Sequence, residues 1–153
     1  GPTPTADRAR PLEMSTLLDL RFDNLPLLAI SINGAEIDSI GPPPYPNFAL
    51  RIQACLRESD TVARFGGDEF VVLLPIIETE QDALNVAEKI RYQLNRSFDV
   101  AGHHLGISSS TGIAMYPMHG DSETQLMKNA DIAMYRAKAD GRDNVRVHRS
   151  DIQ

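Results

Sequence analysis

The stretch Arg64-Phe65-Gly66-Gly67-Asp68-Glu69-Phe70, continued by Val71-Val72-Leu73-Leu74-Pro75, constrains this chain more than any other. On its N-terminal side, Asp60 to Phe65 mixes β-branched and apolar residues and reads as a strand. Phe70 to Leu74 is an unbroken apolar run, the pattern of a strand buried on both faces. Gly66-Gly67 between them supplies positive φ, so the spacing predicts a tight hairpin. Such a hairpin projects two adjacent carboxylates, Asp68 and Glu69, from a rigid pair of strands, with no basic residue next to them in the sequence. Acids so placed repel each other, which is tolerable when they are exposed and useful when they share a divalent cation.

The rest of the chain supplies partners for that hairpin. Leu27-Leu28-Ala29-Ile30-Ser31-Ile32 is a short apolar run and the first core strand. Gly41-Pro42-Pro43-Pro44-Tyr45-Pro46 is a stiff connector, because proline removes donors and restricts its neighbours. A short helix follows, with Phe48, Ile52, Cys55 and Leu56 on one face. Thr79 with Asp82 predicts a helix N-terminus, and Ala83, Ala87, Ile90 and Leu94 recur behind it at helical spacing. Phe98 to Ile107, turning near Ala101-Gly102, is expected as a small edge hairpin, and Ser108 to Tyr116 as a strand that Pro117 stops. Ser122 and Gln125 cap a further helix with Leu126, Ala130, Ala133 and Ala137 inward and Gly141 at its end. Asn144 to His148 alternates as a last, half-exposed strand. Residues 1–24 are expected to be a flexible leader with a short helix over Leu12 to Leu20, and residues 25–150 one domain.

Composition narrows the function classes. A chain of 153 residues, 42% hydrophobic and 24% charged, has the makeup of a soluble globular protein with one core. A net charge of −6 argues against a general nucleic-acid or anionic-membrane surface, though not against a local nucleotide site. No apolar run approaches membrane-spanning length. The one cysteine, Cys55, fits a reducing cytoplasm and reads as a buried, inert thiol. Gly1-Pro2 resembles the scar of a cleaved expression tag, as expected of a piece cut from a longer protein. His103-His104 reads as a solvated pair, His119 and His148 as isolated, and Met115, Met118, Met127 and Met134 as packing residues.

The element order strand–helix–strand–strand–helix–strand, with an added edge hairpin, predicts an α/β (α+β) domain. Its core is ferredoxin-like, a central and mostly antiparallel sheet flanked by helices.

Gly66-Gly67-Asp68-Glu69-Phe70 in that strand–turn–strand setting resembles the signature of the GGDEF family, the diguanylate cyclases and their inactive relatives. The nucleotidyl-cyclase-type core of that family is the same ferredoxin-like arrangement. The resemblance implies that two GTP molecules, each with Mg²⁺ or Mn²⁺, condense to cyclic di-GMP where two such domains meet as a homodimer. It implies that Asp68 is a metal ligand, and that Glu69 supports the metal and the attacking hydroxyl. Gly66 and Gly67 would let the backbone approach the nucleotide. Tyr135-Arg136-Ala137-Lys138 and Gly141-Arg142-Asp143-Asn144 resemble the family segment whose cations, here Lys138 and Arg142, grip phosphate. By themselves, charges at a helix C-terminus would only complement the macrodipole. Arg57 and Asp60 match the family's inhibitory cyclic di-GMP site, with Lys89 and Arg91 at its basic position. The alternative for Arg57 and Asp60 is a weak ion pair at a helix end.

The chain also departs from the family. Ser31 stands where the family's first core strand carries a metal-binding Asp, and Asn33 and Glu36 replace the next Asp and a Lys. The guanine-reading segment gives way to the proline-rich connector, and Asp38 lies beyond the strand end. Losing one charged, hydrogen-bonded partner is worth ~1.5–3 kcal/mol, or roughly ten- to a hundredfold in occupancy. The expectation is a degenerate domain with weak or no cyclase activity. It would serve a bacterial, cytoplasmic signalling protein with further domains as a module responding to cyclic di-GMP or GTP. The alternatives are a working cyclase and a protein-interaction module that needs no nucleotide.

Overall fold

The computed structural model describes residues 26–33, 48–66, 68–100 and 102–149. The leader, the proline-rich connector, Glu36, Asp38 and Gly67 lie outside them. The apolar run at Leu27 forms β1 (Pro26–Asn33), which is buried along its whole length. It is followed by α1 (Phe48–Gln53), β2 (Thr61–Gly66), β3 (Glu69–Leu73), α2 (Glu80–Asn95), β4 (Phe98–Val100), β5 (His103–Leu105), β6 (Ser108–Met115), α3 (Glu123–Ala139) and β7 (Asn144–Val147). The main sheet runs β2-β3-β1-β6-β7, with β4 and β5 as a separate hairpin. Strand β1 pairs antiparallel with both β3 and β6, while β6 and β7 run parallel. A parallel pair needs a crossover, and α3 provides it. This is the mixed α/β, mostly antiparallel architecture that the element order predicts.

Both sheet faces are covered, so the alternation along β1 sorts its side chains between two cores. Leu28, Ile30 and Ile32 join Val62, Phe70, Val72 and Ile113 beneath α1 and α2. Leu27 and Ala29 join Val71, Leu73 and Ala114 beneath α3. On α2 the stripe Ala83, Ala87, Ile90 and Leu94 is fully buried, as its spacing requires. Both helix starts are capped as expected: Thr79 Oγ1 accepts from the Asp82 amide at 3.1 Å and Ser122 Oγ from the Gln125 amide at 3.2 Å. Gly112, in β6, is where α3 touches the sheet. A Cβ there would lie 2.1 Å from the Ala130 carbonyl oxygen and 2.3 Å from the Met134 amide. Only glycine permits that approach.

Three expectations are corrected by packing. Helix α1 ends at Gln53, so Cys55 sits in the following turn and is half-buried. Burial still pushes its thiol pKa up, against the opposing charge of Lys89, which disfavours the reactive thiolate. His119 and His148 are not isolated, because their rings meet edge to face with centroids 5.6 Å apart. His119 is buried, its Nδ1 accepts from the Met115 amide at 2.9 Å, and burial lowers its pKa. Met118, placed among the packing methionines, is 70% exposed in the β6–α3 connection. Among the described residues, no helix is long and apolar enough to cross a membrane.

Candidate functional site

The β2–β3 hairpin separates its two acids. Gly66 pairs with Glu69 after a register shift beyond Arg64, and Asp68 lies in the turn between them. Asp68 is exposed in the loop, while Glu69 is half-buried as the first residue of β3. The Asp68 carbonyl accepts from the Ile32 amide at 2.9 Å, which ties the loop to the end of β1.

Cross-strand register decides what Glu69 faces. Ser31 of β1 lies directly opposite Glu69 on one side and Ser110 of β6 on the other. Residues directly opposite in a ladder share a face, so these three form a polar row on the α3 side. Ser31 is 3% exposed and Ser110 fully buried. Two residues on, Asn33 donates from Nδ2 to Ser110 Oγ at 2.9 Å and to Ser108 Oγ at 3.4 Å. The described β1 side of this corner is thus neutral, with Asn33 donating to two serine hydroxyls beside Ser31.

Helix α3 contributes the remaining charges. Its flank Met127, Asp131, Met134 and Lys138 follows helical spacing. Burial raises the Glu69 pKa, as do the neighbouring negative charges of Asp131 and Asp68, while Lys138 opposes the rise. Burial likewise raises Asp131, again against Lys138. The buried Asp131 Oδ1 has no hydrogen-bond partner. The hairpin acids do therefore have a cation beside them, one that the sequence keeps far away. Asp131 was not among the expected site residues. Its signal was present, since an acid between Met127 and Met134 at spacings of four and three must lie on a buried flank.

Arg142 closes the corner. It lines an open cavity of about 390 Å³ with Asn33, Gly106, Ile107 and Ser108. Asn144, at the start of β7, is in register with Ser110. The structure thus gathers Ser31, Glu69, Lys138 and Arg142 at one end of the sheet, with Asp68 on the adjoining loop and Gly66 at the hairpin's end. Among the described residues, no group of three or more His, Cys, Asp or Glu side chains could hold a metal ion.

The second set of residues lies across the domain and is only partly brought together. Arg57 is exposed and lines a cavity of about 330 Å³ with residues of α2 that include Asp82, Asn85 and Val86. Asp60 is buried, and its Oδ2 accepts from the Arg57 amide at 2.8 Å. The pair forms a side-chain-to-backbone turn rather than a simple exposed ion pair. Lys89 lies one turn beyond Asn85 and Val86 on α2. Arg91 does not join it, because residues two apart on a helix point about 200° apart. Arg91 pairs instead with Glu88 and, at 3.0 Å, with Asp143.

A family model described as "Diguanylate cyclase, GGDEF domain" matches residues 46–144, well over half of the chain. The chain belongs to the GGDEF family. Among its relatives is MucR of Pseudomonas aeruginosa, a bifunctional diguanylate cyclase/cyclic di-GMP phosphodiesterase. The two are 46% identical over 95 residues, covering 62% of this chain and 14% of MucR. The diguanylate cyclase TpbB of P. aeruginosa is 43% identical over 102 residues, covering 66% of this chain and 23% of TpbB. The chain therefore spans less than a quarter of the length of either protein. The crystal structure of the TpbB GGDEF domain superimposes with a TM-score of 0.76 at 34% identity, covering 84% of each chain. The GGDEF domain of DgcB from Caulobacter crescentus, solved in complex with c-di-GMP, superimposes with a TM-score of 0.71 at 25% identity. It covers 83% of this chain and 77% of that one. The GGDEF match begins at residue 46, so β1 and its Ser31 lie ahead of it.

Proposed function

We propose that this GGDEF domain is a degenerate member of its family, with weak or no diguanylate cyclase activity, acting as a nucleotide-responsive regulatory module in a larger cytoplasmic signalling protein. One observation carries the reading: the β1 residue directly opposite Glu69 is a serine, set in the neutral network of Ser31, Asn33, Ser108 and Ser110. A carboxylate on β1 would have completed an acidic pair across the strands. In its place, the Nδ2 of Asn33 donates to hydroxyls, and among the described residues the β1 side of the corner carries no charge with which to hold a cation.

What remains fits a weakly held triphosphate. Lys138 and Arg142 are the cations that grip phosphate, and Gly66 and Gly67 keep the hairpin backbone close to the nucleotide. Glu69 and Asp68 would hold Mg²⁺ or Mn²⁺. The Glu69 pKa is raised first by burial and then by the neighbouring charges of Asp131 and Asp68, and a bound cation would offset that rise. Magnesium is commonly bound by one or two carboxylates completed by substrate phosphates, so the lack of a three-acid cage among the described residues does not conflict with it. When bound, the ion supplies charge neutralisation of the triphosphate and a lowered pKa for a ribose hydroxyl. Cyclic di-GMP binds at the cavity beside Arg57, with Lys89 as the second cation and Asp60 fixing the turn that presents Arg57.

The test is a calorimetric titration with GTP and with cyclic di-GMP, metal present and absent, alongside an assay for product. The expected result is detectable binding of at least one nucleotide with little or no cyclic di-GMP made. Robust turnover overturns the degenerate reading. Arg57→Ala should abolish cyclic di-GMP binding and leave GTP binding intact. A second reading, a working cyclase that assembles as a homodimer, is favoured by Asp131, which brings an acid from α3 to the side of Glu69. Binding of neither nucleotide would leave a protein-interaction module.

A further inference from the structure

We infer that Arg91, with Asn95, is a positioning residue for Arg142: the two side chains hold Asp143 and so fix the turn from which Arg142 enters the 390 Å³ cavity. The inference deepens the reading of Arg142 as a phosphate-binding cation and rests on it.

The turn after α3 is an unusual one. Gly141 has φ 111°, and it is followed by two non-glycine residues in the left-handed region, Arg142 at φ 62° and Asp143 at φ 53°. Aspartate tolerates that region because its short side chain can hydrogen-bond nearby, but arginine does not favour it. Such a pair persists only when its surroundings hold it. The backbone supplies one hold, from the Arg142 amide to the Ala137 carbonyl at 3.0 Å. Gly141 and Asp140 are fastened too, by the Lys138 carbonyl and by Arg146 of β7, and the holds on Asp143 come from α2. Arg91 Nη1 donates to Asp143 Oδ1 at 3.0 Å and to the Asp143 carbonyl at 3.4 Å. Asn95 Nδ2 donates to the same Oδ1 at 3.0 Å. Glu88, one turn earlier, engages the Nε of Arg91 and aims its fork.

The clamp sits where backbone direction matters to the cavity. Asn144, the next residue, enters the sheet in register with Ser110. The chain from Gly141 to Asn144 is thereby fastened on one side by the sheet and on the other by α2, with Arg142 between the fastenings. Arg91 itself is not among the residues lining the 390 Å³ cavity, so its effect on a ligand there must pass through Asp143 and Arg142.

The experiment compares GTP, with Mg²⁺ present, and GMP as calorimetric ligands of the wild type, Arg91→Ala, Asn95→Ala, Asp143→Asn, Arg142→Ala and the Arg91→Ala/Arg142→Ala double variant. Thermal melting checks folding. Arg91→Ala is expected to weaken GTP binding about tenfold, the scale of one lost charged hydrogen-bond partner. GMP binding should barely change, as with Arg142→Ala, because the effect works through the outer phosphates. The double variant should be no weaker than Arg142→Ala alone, since both changes remove one interaction. Asn95→Ala and Asp143→Asn, which each keep part of the clamp, should fall between and serve if Arg91→Ala folds poorly. GTP binding unchanged in Arg91→Ala, or equal losses for GTP and GMP, overturns the inference and leaves the reading of the cavity standing. A wild type that binds no GTP overturns both.

Discussion

The two faces of β1 differ in a way that separates what holds this domain together from what it offers to a ligand. Toward α1 and α2, β1 presents Leu28, Ile30 and Ile32 without interruption, so that face stays apolar to the strand's end. Toward α3, it presents Leu27 and Ala29 and then turns polar at Ser31 and Asn33. The neighbouring strands follow the same gradient. Leu73 and Ala114 flank Leu27, Val71 and Gly112 flank Ala29, and Glu69 and Ser110 flank Ser31. On the α1/α2 face β1 itself stays apolar, although Thr111 and Ser109 of β6 stand buried opposite Ile30 and Ile32. The other face changes from core to cleft within two residues.

The largest effect that tests this contrast comes from cutting the apolar face. Ile30→Ala, at a fully buried site, should cost ~2–5 kcal/mol, read by urea denaturation. Its neighbour Ser31→Ala, on the cleft face, should cost less than ~1 kcal/mol, and equal losses would erase the distinction.

Gly112→Ala probes the boundary row. The added methyl meets backbone atoms of α3 rather than a flexible side chain, so the helix must shift. A loss of ~1–3 kcal/mol is expected. Weaker GTP binding should accompany it, because Lys138 moves with the helix.

Ser31→Asp sharpens the comparison from the other side. It places a carboxylate opposite Glu69, which should lower stability in metal-free buffer. With Mg²⁺ present it should tighten GTP binding about tenfold. A variant that gains nothing with metal would show that the neutral β1 row is not what limits the site.

The smallest effect is the pH dependence of the cleft face. Glu69 and Asp131 both have pKa values raised above the ordinary carboxylate range, chiefly by burial. Between the ordinary range and the raised values the folded chain binds more protons than the unfolded one. These two groups therefore oppose folding increasingly as pH rises through that window. In metal-free buffer, Glu69→Gln should gain in urea midpoint relative to the wild type as pH increases from about 4 to 7. A difference that does not vary with pH would remove the electrostatic account of this corner.

Most of the architecture was legible in the sequence because its signals are local. The caps at Thr79 and Ser122, the stripe from Ala83 to Leu94 and the apolar runs of β1 and β3 are each set by spacings within a few residues. The candidate site was legible in part, through its hairpin and the segment carrying Lys138 and Arg142. What local patterns left open depends on register, on helix phase or, as at Cys55, His119 and Met118, on packing. The hairpin acids divide between loop and strand because the pairing shifts after Arg64. Arg91 parts from Lys89 because a helix turns about 100° per residue.

The sequence alone determined which segments become strands and helices, and where the two long helices begin, since hydrogen-bond caps, turn glycines and apolar periods act over one or two turns of chain. Only the tertiary structure decided that Ser31 faces Glu69, that Asp131 and Lys138 lie beside the hairpin, and that Arg91 holds Asp143. Those meetings join residues 38 to 69 positions apart, and they follow from strand order and from the closeness of α3 at Gly112, which no local pattern encodes.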